Sequence, residues 1–319
     1  MRNMKKVNVG EIIINSKLLG DKMTLLTKNE AGDDFLYEYD ISTQEKVLLT
    51  ALPYSTLGHS DVGILNETFV TTDQETGKLT CIRGNQIIEG NKPAFAFTGI
   101  NTFGKSLSKF KDRLYFIGKK TRSSIYSIRI RPEGYHVTRH HFPGNLFSQI
   151  LVSGDHLYCI AQRPSKKYAI VMIKIETMKI IRAVEITKRR VVMMYRKFGV
   201  LIVLDSENEM TVYDRLMNEI GKLKLHVGNN REMAIVTQAR GIQDLIMRKI
   251  SENRYELYAV SLDGDHRFFV IHIDTNAGHV RLECNSKDIM DCPVSGMVLM
   301  NEHQIAITDR AGTIKSFYV

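Results

Sequence analysis

The chain has 319 residues, with 44 Lys+Arg against 35 Asp+Glu, a formal net charge of +9, and no Trp. Hydrophobic residues make up 43% and charged residues 25%, a mix that excludes a disordered or fibrous chain and leaves room for a large core. No apolar run approaches the ~20 residues of a membrane span, and the charged opening 1–9 has no apolar stretch behind it, so neither a membrane helix nor a signal peptide is expected.

Strand signals dominate: short runs rich in Val, Ile, Tyr and Phe, separated by polar turns. In chain order they fall into pairs at 23–27 and 35–40, 68–72 and 78–82, 114–117 and 125–130, 157–160 and 169–173, 201–204 and 210–214, 257–260 and 268–274, and 304–308 and 313–319. Two short, poorly capped segments, 103–113 and 242–250, are the helix candidates. Cys81 and Cys159 lie inside apolar runs and read as core residues; with Cys284 and Cys292 they have neither metal-ligand spacing nor the density of a disulfide framework. That usage fits an intracellular protein, in cytoplasm or nucleus. The sequon Asn66–Glu67–Thr68 is a triplet frequent by chance.

Seven pairs make seven units. From Asp40 to Tyr318 six intervals span 278 residues, a mean of about 46, within the period of propeller blades. Each pair supplies the middle strands B and C of a four-stranded blade; a preceding run such as 148–152 supplies A, and a following run such as 183–186 supplies D. The seventh unit stops after its C strand, so an N-terminal strand at about 9–15 is expected to close the last blade. The interval from Asp214 to Asp274 is 60 residues, and the excess is placed at 239–253 in the sixth blade.

This pattern resembles the WD40-like β-propellers over the whole chain. The likeness is architectural: no Trp-Asp pair can occur, and Gly-His appears only at Gly58-His59 and Gly278-His279. It implies an all-β fold, a single seven-bladed propeller of four-stranded antiparallel blades over 1–319.

Gly99 to Ser106 matches the phosphate-loop pattern GxxxxGK[ST], and 200–205 is an apolar run ending in Asp. That motif works at a strand-to-helix turn of a parallel sheet, and strand–helix alternation is absent, so a blade-connecting loop is the favoured reading. His136, His140 and His141 are close enough to share a metal, but Arg131 and Arg139 would repel one. Asp33-Asp34, Asp263-Gly264-Asp265 and 205–209 read as turns. Neither GxSxG nor HExxH occurs. No cofactor or metal is implied, and no catalytic residue is assigned.

The charge is concentrated. Residues 101–200 hold 21 Lys+Arg and 5 Asp+Glu; the other 219 residues are net acidic by 7. In a meander blade, B–C turns and D–A links emerge at the same end. Lys119, Lys120 and Arg122 fall in the third B–C turn, Arg163, Lys166 and Lys167 in the fourth. The link into blade four contains Arg139, His140 and His141, and the link into blade five Lys188, Arg189 and Arg190. Cations at Lys109, Lys111, Arg113, Arg196 and Lys197 fall at the other end, so the polarity is a bias. A cluster of this kind attracts polyanions. Few aromatics lie near it (Phe142, Phe147 and Tyr168), which argues against base-stacking recognition of single-stranded RNA.

The expectation is a non-enzymatic scaffold, a monomeric propeller within a hetero-complex, whose basic sector docks an acidic or phosphorylated protein partner. RNA or DNA is the alternative ligand, and an enzyme with an axial pocket is the third reading.

Overall fold

A computed structural model describes residues 2–319 except 20–21, 53–58, 74–78, 85, 89, 91–109, 118–121, 188, 227–241, 262–265 and 288. The described residues contain 27 strands and no helix. β1 (Arg2–Asn8) opens the chain. β2 (Ile12–Leu19), β3 (Lys22–Lys28), β4 (Asp34–Tyr39) and β5 (Lys46–Ala51) form the first sheet; β6 (His59–Leu65), β7 (Thr68–Asp73), β8 (Leu79–Arg83) and β9 (Gln86–Ile87) form the second. The third contains β10 (Arg113–Ile117), β11 (Ser124–Arg131) and β12 (Gly134–His141), and the fourth β13 (Leu146–Ser153), β14 (His156–Gln162), β15 (Tyr168–Lys174) and β16 (Lys179–Thr187). β17 (Val191–Lys197), β18 (Val200–Asp205), β19 (Glu209–Tyr213) and β20 (Glu219–Lys224) make the fifth; β21 (Ile242–Lys249), β22 (Arg254–Ser261), β23 (Phe268–Asp274) and β24 (His279–Ser286) make the sixth. The last joins β25 (Val294–Asn301), β26 (Gln304–Asp309) and β27 (Thr313–Tyr318) to β1, in the order β1-β27-β26-β25. The molecule is a seven-bladed β-propeller of antiparallel blades. The chain divides into two compact units, residues 1–55 with 197–319 and residues 56–196.

The middle strands are apolar on both faces because each is packed from both sides. β18 is buried at every position and β14 at its five inner ones. Tyr115, Ile117 and Ile125 of the third sheet pack with Phe147, Leu157, Cys159 and Val171 of the fourth. Phe142 and Phe147 meet edge to face there, 5.5 Å between ring centroids at 87°. Outer strands carry the polar alternation, as in β20 and β24. Four of them, β5, β16, β20 and β24, also break register, and such bulges blunt a sheet edge against unwanted pairing.

The seventh blade is closed from the N-terminus, but by 2–8 rather than 9–15. β1 runs antiparallel to β27, pairing Val7 with Ile314 and Asn8 with Thr313. The run at 12–15 is apolar because it starts β2, the inner strand of the first blade, where Ile13 is fully buried. At the seam, the Val9 N–H donates to Gly312 O at 2.9 Å. Gly312 has φ +77°, and a Cβ there would lie 2.3 Å from Glu11 O, so only glycine fits. Glu11 accepts from Lys46 Nζ at 2.8 Å and from Thr27. Partial burial pushes its carboxyl up, but these hydrogen bonds outweigh that and hold it below its usual value of 4.5.

The helix expected at 242–250 is instead β21, paired with β22. Its spacing imitates a helix because the strand breaks register after Ile242. Asp244 points inward, accepting the Met297 N–H at 2.8 Å. The extra residues of the long interval therefore fall between Lys224 and Ile242, so of the expected 239–253 only 239–241 belong to them, and 242–253 are β21 and the turn after it. The second helix candidate, 103–113, lies outside the described residues up to 109; Arg113 already belongs to β10.

Two outcomes follow from this packing. Phe147→Ala should cost about 3–5 kcal/mol, the range for emptying a buried aromatic site, read from urea unfolding. Because the folded carboxyl of Glu11 titrates below 4.5, its contribution is present above that pH and fades as pH falls through the folded value. Glu11→Gln should thus melt lower than wild type at pH 6, with the gap closing towards pH 3.

Candidate functional site

The described residues of the basic sector lie in the unit 56–196, and hydrogen bonds tie its loops into one band. The Phe142 N–H donates to Ser123 O, and the Phe147 N–H to Arg122 O, both at 2.8 Å. These bonds stitch the third B–C turn to the link into blade four. Leu146 pairs with Gln162 at the base of the fourth B–C turn, and Tyr168, across that turn, pairs with Thr187 where the link into blade five starts. Among the described residues, 122–123, 142–147, 162–168 and Thr187 are thus neighbours through these bonds and strand pairs.

Their side chains are not equivalent. The Arg122 Nε donates to Phe147 O at 3.1 Å, and the Arg139 Nε to Ser124 Oγ at 3.0 Å; both cations brace the loops. Lys167 is paired with Glu185 at 2.7 Å. His140 is half-buried against Ser127 Oγ, and burial together with Arg113 lowers its pKa, so it brings no positive charge at neutral pH. Arg163, Lys166 and Arg190 have no carboxylate partner among the described residues, and Lys166, Arg189 and Arg190 are exposed. Lys119, Lys120 and Lys188 lie outside the described residues.

Two backbone hydrogen bonds close the fourth B–C turn. The Arg163 N–H donates to Lys167 O and the Lys166 N–H to Arg163 O, both at 2.9 Å. Pro164 fixes its own φ at the first corner, and Lys166 sits at φ 61°, a left-handed position that Gly32 and Gly312 fill in comparable turns. Cations at the other end of the same blades are engaged locally. Arg196 stacks on Tyr158, 4.1 Å from the ring centroid, Lys111 lies over Phe110, and Arg113 and Arg129 face Asp112.

Other sequence candidates resolve into structure. Residues 99–106 of the phosphate-loop match lie outside the described residues, and 200–205 is β18 in an antiparallel sheet. His136, His140 and His141 are distributed along β12, where His141 faces Ser123 and Ser124. The described residues hold no metal-ligand cluster. Asp34 is fully buried against Lys28, and Asp205 caps its turn by accepting from Glu207 N and Glu209 N; Asp263 and Asp265 lie outside the described residues. Asn66 and Glu67, at φ 48° and 56°, form the hairpin between β6 and β7. All four cysteines are free thiols; burial pushes Cys81 up to about 12 and raises Cys159 further.

One feature was invisible in the sequence. A cleft of about 360 Å³ opens on the sixth blade, lined by Arg254, Tyr255, Glu256, His272, Asp274, His279 and Arg281, among others. Its ionisable groups are engaged: Arg254 with Asp274 at 3.1 Å and His272 with Glu256 at 3.5 Å inside the lining, and Glu256 also with Arg248 and the Tyr258 hydroxyl beside it. Backbone N–H groups of the 274–277 turn and Arg254 hold Asp274 below its usual range. No serine or cysteine is among the lining residues. The positions come mainly from short stretches of three strands, 254–256, 272–274 and 279–281, which are distant in sequence and meet only through strand pairing.

No family model matches the sequence, and no curated protein does either. Solved structures match over nearly the whole chain. A streptogramin B lyase aligns with TM-score 0.67 at 12% identity, covering 99% of this chain and 98% of that one. A chain of a mitotic checkpoint complex aligns at 0.66 and 8%, covering 99% and 93%. The β-propeller domain of Cps50 (Swd1) from Myceliophteria thermophila aligns at 0.65 and 12%, covering 99% and 98%. At these identities the likeness establishes the propeller fold alone.

The bracing and outward-facing cations separate experimentally. Arg122→Ala should destabilise by about 1–2 kcal/mol, because it strands the Phe147 carbonyl. Arg190→Ala should change stability by no more than about 0.5 kcal/mol.

Proposed function

We propose that the chain acts as one propeller domain, a non-enzymatic intracellular scaffold, and that its basic sector docks an acidic or phosphorylated protein segment within a larger assembly. The observation that carries this reading is the set of neighbouring loops presenting Arg163, Lys166 and Arg190 without carboxylate partners among the described residues. Guanidinium and ammonium groups suit phosphate and carboxylate acceptors. Arg189 adds to the same link, with Lys167 alongside in its pair with Glu185. The fold likeness to a chain of a mitotic checkpoint complex supports an interaction role. The likeness to a streptogramin B lyase is one of fold, and none of its chemistry transfers at 12% identity.

The same cations leave nucleic acid as the second reading. The two differ in salt response, since log affinity for a nucleic acid falls linearly with log salt, with a slope near the number of phosphates contacted. The direct test is Arg163→Glu with Lys166→Glu and Arg190→Glu. Binding of the triple variant to labelled polyglutamate, a doubly phosphorylated peptide and single-stranded RNA is compared with wild type at about 50 mM salt, where such contacts are strongest. The proposal expects peptide binding to fall by at least about tenfold, with an unchanged melting temperature. Undiminished peptide binding contradicts it; binding of RNA alone transfers the site to the second reading.

A further inference from the structure

We propose that Ser165 is a phosphorylation site that switches the basic sector off, an inference that rests on the docking role above. Ser165 occupies the tip of the Arg163–Lys167 turn and is exposed. Its hydroxyl has no hydrogen-bond partner among the described residues. Nearby hydroxyls are committed: Ser124 is fully buried and accepts from Arg139, Ser127 contacts His140, and Ser148 donates to Ile160 O. Ser165 therefore combines access with a free hydroxyl inside the sector.

Its surroundings suit both the modifying enzyme and the product. Arg163 precedes it by two positions, and Lys166 and Lys167 follow directly, a pattern that complements a kinase with an acidic substrate cleft. Only two backbone bonds pin the tip, Lys166 N–H to Arg163 O and Arg163 N–H to Lys167 O, and Pro164, Ser165 and Lys166 are all exposed. Local opening to admit a kinase therefore costs little. With Mg²⁺–ATP as donor, the Ser165 oxygen forms a bond to the γ phosphorus while the bond to the bridging oxygen breaks; ADP leaves, and the hydroxyl proton passes to the kinase's base.

The phosphate adds a charge of about −1.5 to −2 at pH 7 and three acceptor oxygens. Arg163 and Lys166 are placed to pair with it, since neither has a carboxylate partner among the described residues. Tyr168 pairs with Thr187, where the link into blade five starts. The cations that would hold an acidic segment become occupied within the chain.

The test uses the full chain, a basic-directed serine kinase with Mg²⁺–ATP, and a synthetic 158–172 peptide as control. Mass spectrometry should find phosphate at Ser165 in the folded protein, lost in Ser165→Ala. Phosphorylation of the peptide but not of Ser165 in the folded chain would overturn the proposal. Modified and unmodified chains are then titrated with labelled polyglutamate, and about a tenfold weakening on phosphorylation is expected. Equal binding would overturn the switch and leave docking intact. No binding by the unmodified chain would overturn docking and the switch together, whatever the mass spectrum shows.

Discussion

Every other feature depends on burying both faces of the middle strands between neighbouring blades. A sheet that is apolar on two sides cannot stand alone, so each blade requires a neighbour. The described cores show this within each unit: the second sheet packs on the third and the third on the fourth, the sixth on the seventh, and the seventh on the first. The last blade meets the same demand through β1, which gives β27 a strand partner from the other end of the sequence. Gly312 and Glu11 matter because they let the returning chain pass close to the seventh blade.

That packing decides where sequence can vary in charge. Inner and middle strands are committed to apolar contact, which leaves outer strands and turns. Blades three to five place their surplus of Lys and Arg there, and the consequences differ by position. Where a cation meets a ring or carboxylate, as Arg196 meets Tyr158, it contributes to local structure. Where it projects from a short turn between two buried strands, as Lys166 does, the scaffold holds it in place at no cost to the core. A net charge of +9 thus divides into a strongly basic stretch, 101–200, and a mildly acidic remainder.

Much of the fold was legible because middle strands advertise themselves. The runs at 157–160 and 169–173 fall within β14 and β15, since burial on two faces demands continuous apolar sequence. β1 was misplaced because it is an outer strand held by backbone pairing. Its sequence, Arg2 to Asn8, has no apolar alternation, whereas 12–15 is apolar for a different partner. β21 was misread because a register break and the inward Asp244 disturb the period of two. For the candidate site, the grouping of the loops came from meander topology, whose connections leave the sheet at fixed ends. Individual roles were not legible. That Arg122 clamps Phe147, that Lys167 is paired with Glu185, and that burial keeps His140 neutral all depend on contacts distant in sequence. The blade-six cleft was hidden for the same reason, as its residues converge only when three strands align.

The central claim is that the four-loop band is where an acidic segment sits, and mapping contact residue by residue tests it most directly. Backbone amide NMR signals of the full chain, followed during titration with polyglutamate, should move at 163–167 and 189–190 and stay still along the blade-six cleft at 254–256 and 272–281. Movement confined to the cleft, or none at concentrations where binding is measured, would contradict the account.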